Sequence, residues 1–316
     1  MLSDQKEQIY KTYSGLFRVG EELIDWTFKL MEGFNKKTIL LTALAPHQRI
    51  FLFFFTRAVK TYSAIFYLCQ EGYGQDVSTL LRSLLENLIT SKYILTDPKR
   101  ADQLTARFVD YKWVILKKQL SEEEPLMSQL SQGKKEAYLE KKKLILEGIE
   151  KFKKKYLITS DKALLTWSGK TIKDMAQAVD SLWKEEYEST FRLCSRFSHP
   201  SILGDKEYII QKENQLIFTS VPSNVGILDN LKKSTKYKFE FLKDFNKLFQ
   251  LNFGKELSVL EKMLNSPFQE TLNDFEFTHM ETKSRPSLNK NCVIQFQLSK
   301  SSLKGFSSNQ NKTTPI

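Results

Sequence analysis

Residues 46–70 constrain the fold of this chain more than any other segment, because apolar residues occupy nearly every side of the helix that they predict. Pro46 suits the first turn of a helix, and glycines follow soon after position 70. The helix contains a run of phenylalanines, but Arg57 and Lys60 interrupt it and leave it too short for a membrane span. The sequence therefore predicts a central helix that other elements must cover.

Apolar residues at three- and four-residue spacing continue through most of the remaining chain. They predict a long N-terminal helix over 3–34, broken near Gly15 or Gly20, and a further helix beginning near Gln75. Residues 224–264 have the same period. The predicted fold class is therefore all-α, a multi-helix bundle.

Two regions depart from this pattern. Residues 208–219 follow Gly204 and alternate as in a small β-hairpin, and the sequence beyond Pro267 is rich in Ser, Asn, Lys and Thr, which is typical of a disordered tail. We expect an N-terminal helix within 1–45, a helical core over 46–204 with an exposed charged excursion at 126–158, a hairpin over 205–222, C-terminal helices over 223–267 and a flexible tail over 268–316.

The net charge of +11 is the one unusual bulk property and favours a polyanionic partner such as RNA. Much of the excess lies in lysine runs that alternate with glutamates, which is also typical of a solvated helix face. The cysteines Cys69, Cys194 and Cys292 are too widely spaced for a disulfide framework or a zinc site. We therefore expect reduced thiols, no metal and no cofactor.

The N-terminus has no apolar segment after a basic start, and no window contains a long uncharged apolar run. The expected location is therefore cytoplasmic, without a membrane contact. Farther along the chain, Thr171 and Asp174 have the three-residue spacing of a capping box and predict the start of a short helix.

Residues 187–201 contain the one constellation that suggests chemistry. As helical positions, Arg192 and His199 are seven residues apart, which brings them to within about 20° of the same direction after two turns. Ser195 lies one turn from each of them. Pro200 makes His199 the last helical residue, because the residue before a proline is disfavoured in the α region. An arginine and a histidine are therefore expected together at a helix C-terminus.

The order of several short motifs resembles that of a large family of helical bacterial and archaeal proteins known only as a domain of unknown function. The resemblance covers roughly residues 46–204 and implies a fold without an activity. The motifs are Arg82-Ser-x-x-Glu86, Trp167-Ser-Gly, and Tyr187 leading to Arg192, Ser195 and His199-Pro-Ser.

Arg192-x6-His199 also resembles the Arg-x4-6-His signature of HEPN domains. These domains are helical bundles, many of which are metal-independent RNases of defence and toxin systems, and they are usually dimers. This sequence departs from the common pattern, since Leu193 stands where Asn or Asp usually follows the arginine and Ser198 where a small apolar residue usually precedes the histidine. The resemblance implies a protein of defence or stress response that cleaves or binds RNA.

Under this resemblance, His199 would transfer protons and Arg192 would hold the phosphate with its planar guanidinium. A two-fold dimer would add a second histidine, so that an acid and a base act together. Ser195 and Tyr187 would orient the substrate or the imidazole. The other candidate binding residues are Arg82, Glu86, Arg196 and Trp167.

Two other functions are compatible with the same residues. In a non-catalytic interaction scaffold, Arg192 would pair with Glu86 inside the bundle, His199 would cap its own helix and Trp167 would fill the core. In a small-molecule sensor, Trp167, Tyr187 and the helix over 46–70 would line an apolar cavity.

Overall fold

The computed structural model describes residues 2–37, 41–160, 164–197, 209–212, 215–218 and 222–265, and the fold is an all-α bundle. None of the described helices combines the length and the apolar character needed to cross a bilayer. The helices are α1 Leu2–Thr12, α2 Ser14–Lys36, α3 Pro46–Gln70, α4 Ser78–Leu95, α5 Ala101–Asp110, α6 Lys112–Glu123, α7 Gln132–Lys155, α8 Ile172–Val179, α9 Ser181–Glu186, α10 Arg192–Phe197, α11 Ile227–Phe249 and α12 Gly254–Asn265.

Shorter elements complete the description. Two 3₁₀ turns cover Leu41–Ala43 and Glu124–Gln129, and a π-helical turn covers Tyr187–Phe191. The strands β1 Ile209–Lys212 and β2 Gln215–Phe218 pair antiparallel, with Ile209 opposite Phe218. The tail predicted over 268–316 lies outside the described residues.

The chain forms two compact units. The first unit consists of residues 1–88 and 186–316, and the second consists of residues 89–185. In the first unit, α11 packs against α2, α3 and α12.

The centre of the first unit is aromatic. Helix α3 has the predicted bounds, and it is buried on most sides because α2 and α11 both pack against it. The rings of Phe55 and Phe245 lie 4.2 Å apart between centroids, and Phe51 contacts Phe241 and Phe245. The prediction of a central helix over 46–70 is therefore confirmed.

The N-terminal segment breaks at one of the two predicted positions. Tyr13 separates α1 from α2, close to Gly15, whereas Gly20 lies within α2. A Cβ atom at Gly20 would be 2.3 Å from Cε2 of Phe66 and 3.0 Å from the hydroxyl of Tyr62. The glycine at position 20 therefore allows α2 to approach α3 closely, and does not end the helix.

Replacing Gly20 with alanine is expected to lower the free energy of unfolding by about 1–3 kcal/mol, because the added methyl group overpacks the contact with the Phe66 ring. Alanine improves helix propensity, which offsets part of this loss. Gly133→Ala is the matched control, since nothing lies within 4 Å of a Cβ atom at that position. Urea denaturation measures the free energy of unfolding of both variants. A Gly20→Ala protein as stable as wild type would contradict the packing role of Gly20.

In the second unit, α6 and α7 pack together through a core of Leu120, Tyr138, Ile145 and Ile149. The charged excursion predicted at 126–158 therefore has a buried side. The leucines Leu139, Leu144 and Leu146 are 57%, 59% and 43% exposed and do not belong to this side. The buried side consists of Tyr138, Ile145, Ile149 and Phe152, whose spacing of seven, four and three residues repeats on one helix face.

The predicted capping box at the start of α8 is confirmed. The backbone N–H of Asp174 donates to Oγ1 of Thr171, and the backbone N–H of Thr171 donates to the Asp174 carboxylate, both at 3.2 Å. The hydroxyl of Thr171 also donates to the Asp174 carboxylate, at 2.8 Å. This hydrogen bond and the one from the Thr171 backbone lower the pKa of Asp174. The motif is correctly predicted because every contact lies within four residues.

Candidate functional site

The helix that carries the candidate residues contains a π-helical turn. We call residues 186–197 the motif helix. Within it, the backbone N–H of Arg192 donates to the carbonyl oxygen of Tyr187, five residues earlier, where an α-helix would use the residue four positions earlier. The spacing of Arg192, Ser195 and His199 predicted a regular α-helix here, and nothing in that spacing indicates the π-turn. Single π-turns within helices are frequent at functional sites.

A carboxylate at the start of the π-turn binds the motif helix to α11. One oxygen of Glu186, Oε2, accepts hydrogen bonds from the hydroxyl groups of Tyr237 at 2.6 Å and Thr190 at 3.3 Å. The other oxygen, Oε1, accepts a hydrogen bond from Nζ of Lys236. Nζ of Lys233 donates to Oγ1 of Thr190 at 2.8 Å. We call these five residues the Glu186 network.

The electrostatics of the network keep Glu186 charged. Burial alone would raise the pKa of Glu186, but the hydrogen bonds from Lys236 and Tyr237, together with the charges of Lys236 and Lys233, lower it overall. Burial raises the pKa of Tyr237, and the neighbouring Glu186 carboxylate raises it further. The carboxylate is therefore the acceptor and the phenol the donor.

Arg192 lies on the solvent side of the motif helix. Its side chain is 60% exposed, and its Nη1 atom is 2.8 Å from Oε2 of Glu188, one turn earlier. This carboxylate raises the pKa of Arg192. The scaffold alternative predicted an ion pair between Arg192 and Glu86 inside the bundle. This prediction is wrong, because Arg192 pairs with Glu188 and Glu86 is exposed.

Arg82 approaches the motif helix from α4. Its guanidinium lies over the ring of Phe191, with Cζ 4.8 Å from the ring centroid, and the side chain is half-buried. The buried Nε atom of Arg82 has no hydrogen-bond partner in the part of the chain that the structure describes. Arg82 and Glu86 lie one turn apart on α4 and are both described, but they form no ion pair with each other.

The thiol of Cys194 on the motif helix lies within the influence of two cations from other helices, Arg82 on α4 and Lys233 on α11. Burial raises the pKa of Cys194 to about 11, although the positive charges of Lys233 and Arg82 oppose this rise. Both cations are therefore close enough to act on the same sulfur atom. Cys194 is 3% exposed, so the thiol is an internal group.

The other candidate residues have separate environments. Oγ of Ser195 donates to the carbonyl oxygen of Phe191 at 2.6 Å, and the ring of Tyr187 stacks on that of Phe191 at 4.9 Å. Trp167 belongs to the second unit, where its ring contacts those of Tyr93 and Phe108.

His199 lies outside the described residues, as does the side chain of Arg196. The expected alignment of His199 with Arg192 therefore stays a prediction. Within the described ranges, no group of three or more His, Cys, Asp or Glu residues is arranged to hold a metal ion.

Comparison with protein-family models places this motif region in a known family. The model for a family of unknown function, DUF5677, matches residues 48–216, which is more than half of the chain. The chain belongs to the DUF5677 family. The DUF5677 region contains both Arg82 and the motif helix, and the prediction of a family of unknown function is confirmed. Neither the curated proteins nor the solved structures include a match to the chain.

Sequence reasoning missed the Glu186 network. Lys233, Lys236 and Tyr237 are spaced by three and one residues on α11, so they share a helix face. The apolar period of residues 224–264 gives no indication that this face binds a carboxylate. The detectable signal was two lysines beside a tyrosine on one face. The partner carboxylate could not be identified from that signal, because Glu186 is about 50 residues away along the chain.

Proposed function

We propose that this protein binds RNA at the motif helix and cleaves it without a metal ion, as HEPN domains do. The observation that supports this best is the state of Arg82. A half-buried guanidinium normally pairs with a carboxylate, yet Arg82 contacts an aromatic ring and leaves its buried Nε atom without a partner among the described residues. A bound phosphate would supply the missing acceptors through a charge-assisted hydrogen bond.

The charged residues on the motif helix and on the helices that contact it favour the same ligand. The cations Arg82, Arg192, Lys233 and Lys236 outnumber the carboxylates Glu186 and Glu188. This local excess has the same sign as the net charge of the whole chain, which is +11. A polyanion would gain affinity from this excess through the release of counterions.

Cleavage would depend on His199, which follows Arg192 by seven residues in the sequence. The 2′-oxygen of RNA attacks the adjacent phosphorus atom, the P–O5′ bond breaks, and a 2′,3′-cyclic phosphate forms. One imidazole accepts the proton of the 2′-hydroxyl group, and a protonated imidazole donates to the leaving 5′-oxygen. His199 and its copy in a two-fold dimer would take these two roles, while Arg82 and Arg192 neutralise the charge of the phosphorane.

Replacing Arg82 with glutamine tests the binding step. We expect the affinity for a single-stranded RNA oligonucleotide to fall about tenfold, because a hydrogen bond to a charged group contributes roughly 1.5–3 kcal/mol. Fluorescence anisotropy at a fixed salt concentration measures the affinity. Arg82→Lys keeps the charge but loses the planar fork, so its affinity should be intermediate.

Arg18→Gln is the control for this test, since Arg18 is an exposed arginine of the same unit that lies on a different helix, α2. Unchanged RNA affinity in Arg82→Gln, with wild-type behaviour of Arg18→Gln, would sink the proposed site.

A non-catalytic scaffold is the alternative function. The observations that favour it are the internal hydrogen bond of Ser195 and the packing of Trp167 within the second unit, since both residues then serve the fold. A scaffold predicts that wild-type protein leaves RNA intact and that a protein partner is captured.

A further inference from the structure

Helix α3 presents one narrow side to solvent. The exposed residues on this side are Arg49, Phe53, Arg57, Lys60 and Tyr67, which we call the α3 ridge. The remaining sides of α3 are buried or half-buried against the rest of the first unit. The ridge is therefore the solvent-facing edge of the most apolar helix of the chain.

Spacing places these side chains in one row. They follow each other at intervals of four, four, three and seven residues, which keeps them on one face of an α-helix. From Arg49 to Tyr67 the row is about 27 Å long at 1.5 Å per residue. Phe53 lies one turn from a cation on either side.

The aromatic members of the ridge are exposed to solvent. Phe53 is 51% exposed and Tyr67 is 38% exposed. Each ring forms a T-shaped contact with a neighbouring phenylalanine, Phe53 with Phe54 and Tyr67 with Phe66. The exposed part of each ring is apolar surface on which a flat ligand can stack.

The three cations of the ridge form no ion pair within the described residues, in contrast to other exposed lysines of the same unit. Lys11 pairs with Glu7 and Lys36 with Glu32, both one turn away on the same helix. Arg49, Arg57 and Lys60 have no such carboxylate at that spacing on α3.

Two carboxylates flank the Tyr67 end of the ridge. Glu21 is close enough to contribute to the raised pKa of Tyr67, after the larger effect of burial. Glu71 forms an ion pair with Lys6. These carboxylates make the Tyr67 end of the ridge less positive than the segment from Arg49 to Lys60, which contains the three cations and Phe53.

We infer that the α3 ridge binds single-stranded RNA, with phosphates on Arg49, Arg57 and Lys60 and bases stacked on Phe53 and Tyr67. Proteins that bind single strands combine a positively charged surface with aromatic side chains on which bases stack. The choice of RNA as the ligand rests on the function proposed above. The ridge would hold the strand beyond the phosphate that Arg82 contacts.

Two double variants separate the contributions to binding. Removing two cations, in Arg57→Gln with Lys60→Gln, should reduce the slope of log K against log salt by about 1.4, since each phosphate contact to a single strand contributes about 0.7. Removing both rings, in Phe53→Ala with Tyr67→Ala, should lower the affinity about fivefold or more and leave that slope unchanged. Fluorescence anisotropy with a labelled single-stranded RNA oligonucleotide measures both quantities.

The controls match each variant in charge or exposure. Lys11→Gln with Lys36→Gln removes two exposed lysines that already have ion-pair partners, and Tyr73→Ala removes a tyrosine that is 39% exposed and lies outside α3. Both should bind RNA nearly as wild type does. A melting curve for each protein confirms that it is folded.

The results distinguish the ridge from the site at Arg82. Loss of binding in the ridge variants with wild-type binding in Arg82→Gln would support the ridge and overturn the proposed site. The opposite result would overturn the ridge alone. Equal losses in ridge and control variants, a preference for duplex RNA, or no RNA binding by wild-type protein would each refute the ridge.

Discussion

Replacing His199 with alanine is expected to reduce the rate of RNA cleavage about 10²–10⁴-fold, because the variant lacks the group that transfers protons to and from the reacting oxygens. The affinity for RNA should stay close to that of wild type, since Arg82 and Arg192 remain in place. The melting temperature should also be unchanged. Cleavage of a labelled RNA by purified protein, with and without a chelator, measures the activity.

His279→Ala is the matched control, because it removes another of the three histidines of the chain and lies outside the motif helix. It should cleave RNA at the wild-type rate. If His199→Ala instead unfolds several degrees earlier, and its activity falls only in proportion to the unfolded fraction, the histidine is a helix cap and the scaffold function is the better explanation.

Glu186→Ala is expected to lower the free energy of unfolding of the first unit by about 3 kcal/mol. The substitution leaves the hydroxyl of Tyr237, whose side chain is fully buried, without its carboxylate acceptor and takes the counter-charge from Lys236. Because the side chain of Lys236 is 43% exposed, part of its charge remains solvated. The expected loss of stability is therefore smaller than that for breaking a fully buried ion pair. Urea denaturation at pH 7 measures the loss.

The pH dependence of this loss identifies the carboxylate. The pKa of Glu186 is lower in the folded protein than in the unfolded chain, where it is about 4.3. Its contribution to stability is therefore complete above pH 4.3 and is lost as the pH falls through the folded-state pKa. The stability difference between wild type and Glu186→Ala should shrink below pH 4.

Glu185→Ala serves as the control for this experiment, since Glu185 is an exposed glutamate next to Glu186. Tyr237→Phe should cause a smaller loss than Glu186→Ala, because Lys236 and Thr190 still donate to the carboxylate. A loss in Glu185→Ala as large as that in Glu186→Ala would show that the network does not stabilise the fold.

The parts of the fold that the sequence predicted correctly depend on signals within a few residues. Pro46 at the first turn and the apolar residues after it predicted the bounds of α3, and Thr171 with Asp174 predicted the start of α8. The buried side of α7 was not predictable in the same way, because apolar residues occur on more than one side of that helix and the sequence does not indicate which side meets α6.

The candidate site was only partly predictable. Short motifs identified Arg82 and Arg192, but they did not indicate that Arg82 lies over Phe191 and forms no ion pair with Glu86. The π-turn also escaped prediction, since it is associated with hydrogen bonds from Thr190 within the motif helix and from Lys236 and Tyr237 on a distant helix.

The amino-acid sequence by itself determined that the chain is helical, where its central helix lies and that it carries a positive charge, because periodicity, caps and charge are properties of neighbouring residues. Tertiary structure alone decided that Arg82 lies over Phe191, with no carboxylate partner among the described residues, and that Glu186 binds α11. Both arrangements depend on which faces of separate helices meet. That choice is made by the packing of the whole core, in which residues far apart in the chain compete for the same contacts.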